Sequence, residues 1–417
     1  MASTALDETV VAQTKAQEFR RGWPILLASM FGAGVGVSCL LNYTSGLFVK
    51  DLEAAIGLTR TEFGLAFLLA TVGVGIALPA VGAVVDRYGV RWPTVFGATG
   101  LAITFLGFGT FVTSVTSYTL FMILMGLLGT GASTLTFTRA INSWFDRGRG
   151  LALGLTQAGV GIAGTIIPPL VAFVIQNHGW RAGYFMLAGI ASLGVISAFL
   201  LLRTREEHAR QAPLQAPPEE ISAAFRSRVF WLQLAAFVGM TLAFAGIMIH
   251  FVPIVREMGL SAMQAAGFAA LIGGSVLASR LLVGWLADMV HAPWLAVAAC
   301  GFGMVACVAL ASNSVALIPL AAVCVGCAMG AELDLLSYIT ARYFPLRIYG
   351  RVYAWQYGGV TMAGGASPLW IGWTADQTGD YRLALIGCGA LAVVVICLFL
   401  ILPRYSIEHP SAESAAA

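Results

Sequence analysis

Arg139, Arg280, Glu332 and Asp334 lie inside long stretches of otherwise apolar sequence, whereas nearly every other charge falls in a short polar break. A charged side chain at the centre of a bilayer costs about 2.5–3.5 kcal/mol on insertion scales, so it usually faces a partner or a water-filled cavity and marks a path for ions or substrate. Two cations and two anions kept in such places predict movement of a small anion together with protons. Counting toward the polar ends of their stretches, Arg139 precedes Arg147, Arg280 precedes Asp288 and Asp334 precedes Arg342 by eight residues each. Eight residues of α-helix rise about 12 Å, so these three charges are expected at one level, just below the middle of the membrane.

Arg280 is the expected ligand of a substrate carboxylate, because a guanidinium offers a planar fork that matches a carboxylate and stays charged at any working pH. The competing reading is a structural ion pair with Asp334 or Glu332. Those two acids are two residues apart, roughly 200° around a helix, and therefore point to different faces. A buried carboxylate that gains and loses an arginine partner can load and release a proton. Asp334 is favoured for that coupling on its depth, with Glu332 as the other candidate. Arg139 reads either as a second anion contact or as a cap on backbone carbonyls. His250 titrates in the range of a proton relay, although a lone His near a helix end is more often packed. Asn42, Tyr43 and the run Trp355-Gln356-Tyr357 supply amphipathic lining suited to an organic substrate, with plain packing as the alternative.

Composition requires the elements that hold these residues to be membrane helices. The 417 residues are 59% hydrophobic and 10% charged, against about 25% charged in soluble proteins. A spanning helix needs about 20 apolar residues, and the chain has twelve such stretches, from 23–49 to 383–403. The expected fold class is an all-α membrane protein of twelve transmembrane helices in two pseudo-symmetric six-helix bundles. Its segments are a tail 1–22, a first bundle 23–202, a polar linker 203–228, a second bundle 229–403 and a tail 404–417. Most of the 23 Lys and Arg residues, among them Arg20, Arg21, Arg87, Arg91, Arg147 and Arg149, fall on the side of both tails. That asymmetry predicts cytoplasmic termini in an inner (plasma) membrane. A net charge of +3 gives no reason to expect a nucleic-acid partner, and Cys324-x-x-Cys327 reads as small packing residues. No metal, cofactor, catalytic domain or nucleophile motif is expected, and the chain reads as a monomer.

The two bundles echo each other. Gly82 to Asp86 matches Gly284 to Asp288, Gly131 to Phe145 matches Gly330 to Phe344, and Trp180-Arg181 matches Tyr381-Arg382, all at nearly one offset. Such duplication is frequent in transporters that rock one half against the other.

The chain resembles the major facilitator superfamily over essentially its whole length. The motif that carries the resemblance is Gly82-x-x-x-Asp86-Arg87-x-Gly89-x-Arg91 between the second and third stretches. The resemblance implies a gating latch on the cytoplasmic side formed by Gly82, Asp86, Arg87, Gly89 and Arg91, with Asp288 as the repeat's counterpart. Ser143-Trp144-Phe145, Arg147-x-Arg149-Gly150 and Gly179-Trp180-Arg181 are similar to bacterial relatives of monocarboxylate carriers and oxalate/formate antiporters, which keep a substrate-binding arginine where Arg280 stands. The chain departs from them at Val276, where animal monocarboxylate carriers have an Asp, and in lacking a Lys in the first and eleventh stretches. Oxalate is therefore disfavoured. The function expected is secondary active symport of a small organic anion, a monocarboxylate, with a proton by alternating access. The alternatives are efflux of lipophilic compounds by proton antiport, or organic anion exchange.

Overall fold

The computed structural model describes residues 15–145, 148–203, 218–287 and 289–404. Its helices are α1 (Lys15–Val35), α2 (Val37–Ile56), α3 (Arg60–Tyr88), α4 (Arg91–Phe111), α5 (Val115–Gly129), α6 (Thr134–Trp144), α7 (Arg149–His178) and α8 (Trp180–Leu201). After them come α9 (Pro218–Arg226), α10 (Arg228–Glu257), α11 (Ala262–Leu286), α12 (Ala292–Ala311), α13 (Ile318–Tyr343), α14 (Leu346–Thr378) and α15 (Arg382–Ile401). With α1–α2 and α5–α6 each forming one interrupted pass, the chain crosses twelve times, and its described ends share one face, here the terminal face. Eleven passes are apolar enough to span by composition. The remaining one, α14, is less apolar because it carries Tyr349, Tyr353, Gln356 and Tyr357.

Several expected boundaries change. The segment expected as a tail is helical from Lys15, and Glu18 is buried where it accepts the backbone N–H of Gly148 at 2.9 Å, beside the start of α7. A carboxylate is favoured at a helix N-terminus. The polar linker 203–228 contains α9; residues 204–217 lie outside the described region, as do 1–14, 146–147, Asp288 and the tail beyond Arg404. The first pass breaks at Gly36 and the fourth at a short 3₁₀ turn, Thr130–Ala132. These breaks nest together, since a Cβ on Gly36 would collide with the Ala132 carbonyl. Helices in lipid associate through such small residues, which let backbones approach.

Across the two bundles, α3 packs on α14, α7 on α11 and α2 on α10. Glycines make these contacts close in the half of the molecule away from the termini. Gly64 lies against the backbone of Pro368 and Leu369, Gly273 against Gly164 and Thr165, and Gly372 against Arg60. Toward the terminal face the same helices diverge. A Cβ added at Gly75, Gly82, Gly154, Gly284 or Gly358 would meet nothing within 4 Å. The molecule is closed on its far face and open on its terminal face.

Candidate functional site

Arg280 and Asp334 meet because α11 and α13 are pressed together by a stripe of small residues. Gly326, Gly330 and Asp334 recur every four residues along one face of α13. A Cβ at Gly330 would approach the Val276 carbonyl at 2.7 Å and the Ser279 Cβ at 2.9 Å, and the Ser279 hydroxyl donates to the Cys327 carbonyl at 2.9 Å. One turn beyond Gly330, Arg280 Nη1 donates to Asp334 Oδ1 at 3.5 Å. The pairing is a single long contact that leaves donors to spare: Arg280 Nε is buried without a hydrogen-bond partner. The Asp334 side chain is 39% exposed although it sits in mid-helix, so it opens onto a cavity. Tyr43, Tyr353 and Tyr357 are close enough to feel the charge of Arg280, and the rings of Tyr349, Tyr353 and Tyr357 stack along α14 at 5.5 and 5.8 Å. Tyr43, from the first bundle, reaches this place by lying against Gly164. A cation with an unfilled fork, an acid beside it and phenols around both can take a carboxylate and a proton in one place.

Glu332 points the other way. It is 2% exposed within the second bundle, where the Thr241 hydroxyl of α10 hydrogen-bonds to its carboxylate. The two acids thus occupy different faces of α13, with Asp334 on the cavity side.

Other expected site residues are redistributed. Trp355, Gln356 and Tyr357 are successive residues on a helix, about 100° apart, and point three ways. Gln356 is corrected from substrate lining to a buried network, where its Oε1 accepts from Thr340 at 2.6 Å and from Gln233 Nε2 at 3.4 Å. Trp355 is 69% exposed beside the edge-on ring of Phe225, away from the tyrosine stack. Asn42 is exposed and turns its amide back to the Ser38 carbonyl at 2.7 Å. Arg139 is exposed on α6, which packs mainly against α1 and α7. His250 is fully buried between the Tyr381 hydroxyl and the Pro368 carbonyl, each at 3.0 Å, and its ring meets Phe63 edge-on. That position belongs to the seal of the far face, not to the Arg280 layer.

Of the motif between α3 and α4, Gly89 takes φ +77° and closes α3 with its N–H on the Val85 carbonyl at 2.9 Å. Arg87 lies over Tyr88, and Arg91 lies over Trp92 and Phe199, all within the first bundle. Gly82 has open space around it. The Asp86 side chain and Asp288 lie outside what the structure describes.

Among the described residues, charged contacts between the bundles lie on the opposite face. Arg60 pairs with Glu257 at 2.5 Å and Asp376 at 3.6 Å, and Arg256 pairs with Asp51 at 3.2 Å. Asp376 also accepts the backbone N–H of Thr61 at 2.7 Å, so an acid of α14 caps the first turn of α3 across the interface. Arg60 lies over the ring of Tyr381, whose phenol burial pushes up from its ordinary value and keeps neutral. Thr59-x-x-Glu62, a capping box legible in the sequence, fixes where α3 begins and hence where Arg60 points. The pairs are partly exposed, so together they hold the far face shut by roughly 1–2 kcal/mol. Arg60→Ala is expected to raise the labelling rate of a Phe63→Cys probe by an impermeant maleimide on that face about 5- to 30-fold. An unchanged rate would remove the latch role.

The family comparisons agree with this architecture. A family model described as Major Facilitator Superfamily matches residues 26–368. Monocarboxylate transporter 13 of Bos taurus is 27% identical over 92% of this chain and 90% of its own length. The probable L-galactonate transporter of Escherichia coli (strain K12) is 25% identical over 89% of this chain and 88% of its own. Among solved structures, a D-xylose-proton symporter superposes with a TM-score of 0.72 at 16% identity, over 92% of this chain and 98% of that one, a likeness of fold alone. With the matched segment running through both bundles, the chain belongs to the Major Facilitator Superfamily, whose members are membrane transporters and not enzymes.

Proposed function

We propose that this transporter moves a small organic monocarboxylate together with one proton, by alternating access around Arg280. The observation that carries the reading is the Arg280–Asp334 pair, which has one long contact, an unfilled guanidinium fork and a half-open acid. Empty, the pair satisfies itself. An entering carboxylate competes for the fork, and Asp334, stripped of its cation inside the protein, takes a proton because a lone charge is disfavoured there. The loaded site then carries one anion with one proton and no net added charge. That neutrality lets the far-face latch open and the terminal face close, since burying a net charge is what a membrane resists. With both termini in the cytoplasm, as the distribution of basic residues supports, the conformation is inward-open and the latch of Arg60 is the outer gate. Two relatives whose names specify monocarboxylate and L-galactonate transport, the latter itself a monocarboxylate, favour the same substrate class.

Purified protein in liposomes tests this. An inward proton gradient is expected to drive accumulation of a labelled short-chain monocarboxylate such as lactate several-fold above equilibrium, and a protonophore is expected to abolish it. Uptake that ignores the gradient, or that no monocarboxylate inhibits, would overturn the proposal.

A further inference from the structure

The α3–α14 contact that seals the far face comes apart toward the terminal face. Gly64, Gly365 and Gly372 hold the two helices together, with Gly365 against Leu68 and Thr71. Beyond Thr71 the helices splay around a crevice of about 1190 Å3. Ile76 and Pro79 of α3, Phe225 of α9, Trp231 of α10, and Trp355 and Met362 of α14 form its walls. Ile76 and Trp355 are 68% and 69% exposed, so the walls are large apolar side chains that no other described residue covers. Pockets for whole drug-sized ligands measure roughly 300–1,000 Å3, so an acid of a few heavy atoms leaves this crevice empty. Its inner margin is Tyr357, a residue that also feels the charge of Arg280. The apolar crevice therefore reaches the tyrosine stack of α14, whose phenols lie within electrostatic range of Arg280.

We propose that the substrate is an amphipathic monocarboxylic acid, with its carboxylate on Arg280 and its apolar body passing Tyr357 into the crevice between α3 and α14. This rests on the assignment of Arg280 as the anion site. Charge complementarity selects an acid over a neutral lipophile: an uncharged tail gains the crevice only, whereas an acid gains crevice and guanidinium together. Van der Waals filling by Trp231, Trp355 and Met362 favours a chain or ring system over a polar body, because the walls offer few hydrogen-bond partners to a polyol.

The experiment is calorimetric titration of the full-length protein in nanodiscs with acetate, hexanoate and decanoate, and with decanol as the uncharged control. Affinity is expected to rise roughly three- to fourfold per methylene until the crevice is full, and decanol is expected to bind far more weakly than decanoate. Gly358→Leu, which adds a side chain where the helix has open space, and Ile76→Trp on the facing wall are each expected to flatten that dependence. Retention of chain-length dependence in both variants would place the tail elsewhere, in lipid or another cleft, and overturn the inference. A flat wild-type series with acetate still dependent on Arg280 would overturn it too, while leaving the anion site standing. Undiminished binding of all three acids by Arg280→Gln would instead sink the anion site itself.

Discussion

Arg280→Gln is expected to lower monocarboxylate affinity about 100-fold or more and to abolish saturable uptake. The guanidinium offers a substrate two parallel charge-assisted hydrogen bonds, each worth about 1.5–3 kcal/mol. Losing both costs roughly 3–6 kcal/mol, at 1.4 kcal/mol per decade of affinity. Glutamine leaves an uncharged donor, so little of that is recovered. Arg280→Lys keeps the charge and loses the fork, and an intermediate loss of about tenfold is expected. The substitution also strands Asp334 without its cation. A half-buried carboxylate left alone destabilises its surroundings, so Arg280→Gln with Asp334→Asn should melt at a higher temperature than Arg280→Gln alone. Titration of the wild type and both single variants with one monocarboxylate, alongside their melting curves, measures all of this. Undiminished affinity in Arg280→Gln would remove the anion site from α11.

Asp334→Asn is expected to separate binding from coupling. Net uptake driven by a proton gradient should fall at least about tenfold, because the amide cannot take the proton that neutralises the loaded site. Exchange of labelled for unlabelled anion across the same membrane should persist, since it requires only that the loaded carrier reorient. The matched control is Glu332→Gln. Glu332 is sealed against Thr241, and the amide can keep a hydrogen bond to that hydroxyl, so gradient-driven uptake should survive. The reverse pattern, with Glu332→Gln uncoupled and Asp334→Asn intact, would transfer the proton to Glu332.

Much of this molecule is written locally. Membrane spans follow from the length of apolar runs, because no water is present to satisfy a backbone that is not helical. Helix starts such as Thr59-x-x-Glu62 and Ser261-x-x-Gln264 are capping boxes in which side chain and backbone satisfy each other within four residues. The Arg280–Asp334 meeting had a signal too: Gly326, Gly330 and Asp334 form one stripe, and a stripe of small residues leading to an acid marks where a neighbouring helix comes close. The break in the first pass at Gly36 had a weaker one, since its partner Ala132 lies three passes away.

Some readings failed where spacing alone was asked to give direction. Trp355, Gln356 and Tyr357 are all amphipathic and suit one lining by type, yet a helix separates neighbours by about 100°, and the bundle puts one on a crevice, one in a buried network and one near Arg280. His250 looked suited to a relay by chemistry, but its partners, Tyr381 and Pro368, come from more than a hundred residues later in the chain. Arg60, Asp51, Arg256, Glu257 and Asp376 carry no local signal of pairing, and only the contact of α3 with α14 and of α2 with α10 brings them together.

The amino-acid sequence by itself determined that the chain is a bundle of membrane helices, how many times it crosses, that its halves are related, and which few charges lie within the apolar layer. Those properties depend on composition and on interactions between residues a few positions apart. Tertiary structure alone decided which charge faces the cavity, which acid is locked inside a bundle, which face is shut, and that an apolar crevice reaches the tyrosine stack. Each of these depends on how helices distant in sequence are rotated and tilted against one another, and that is set by close packing summed over whole interfaces, which no single stretch of residues encodes.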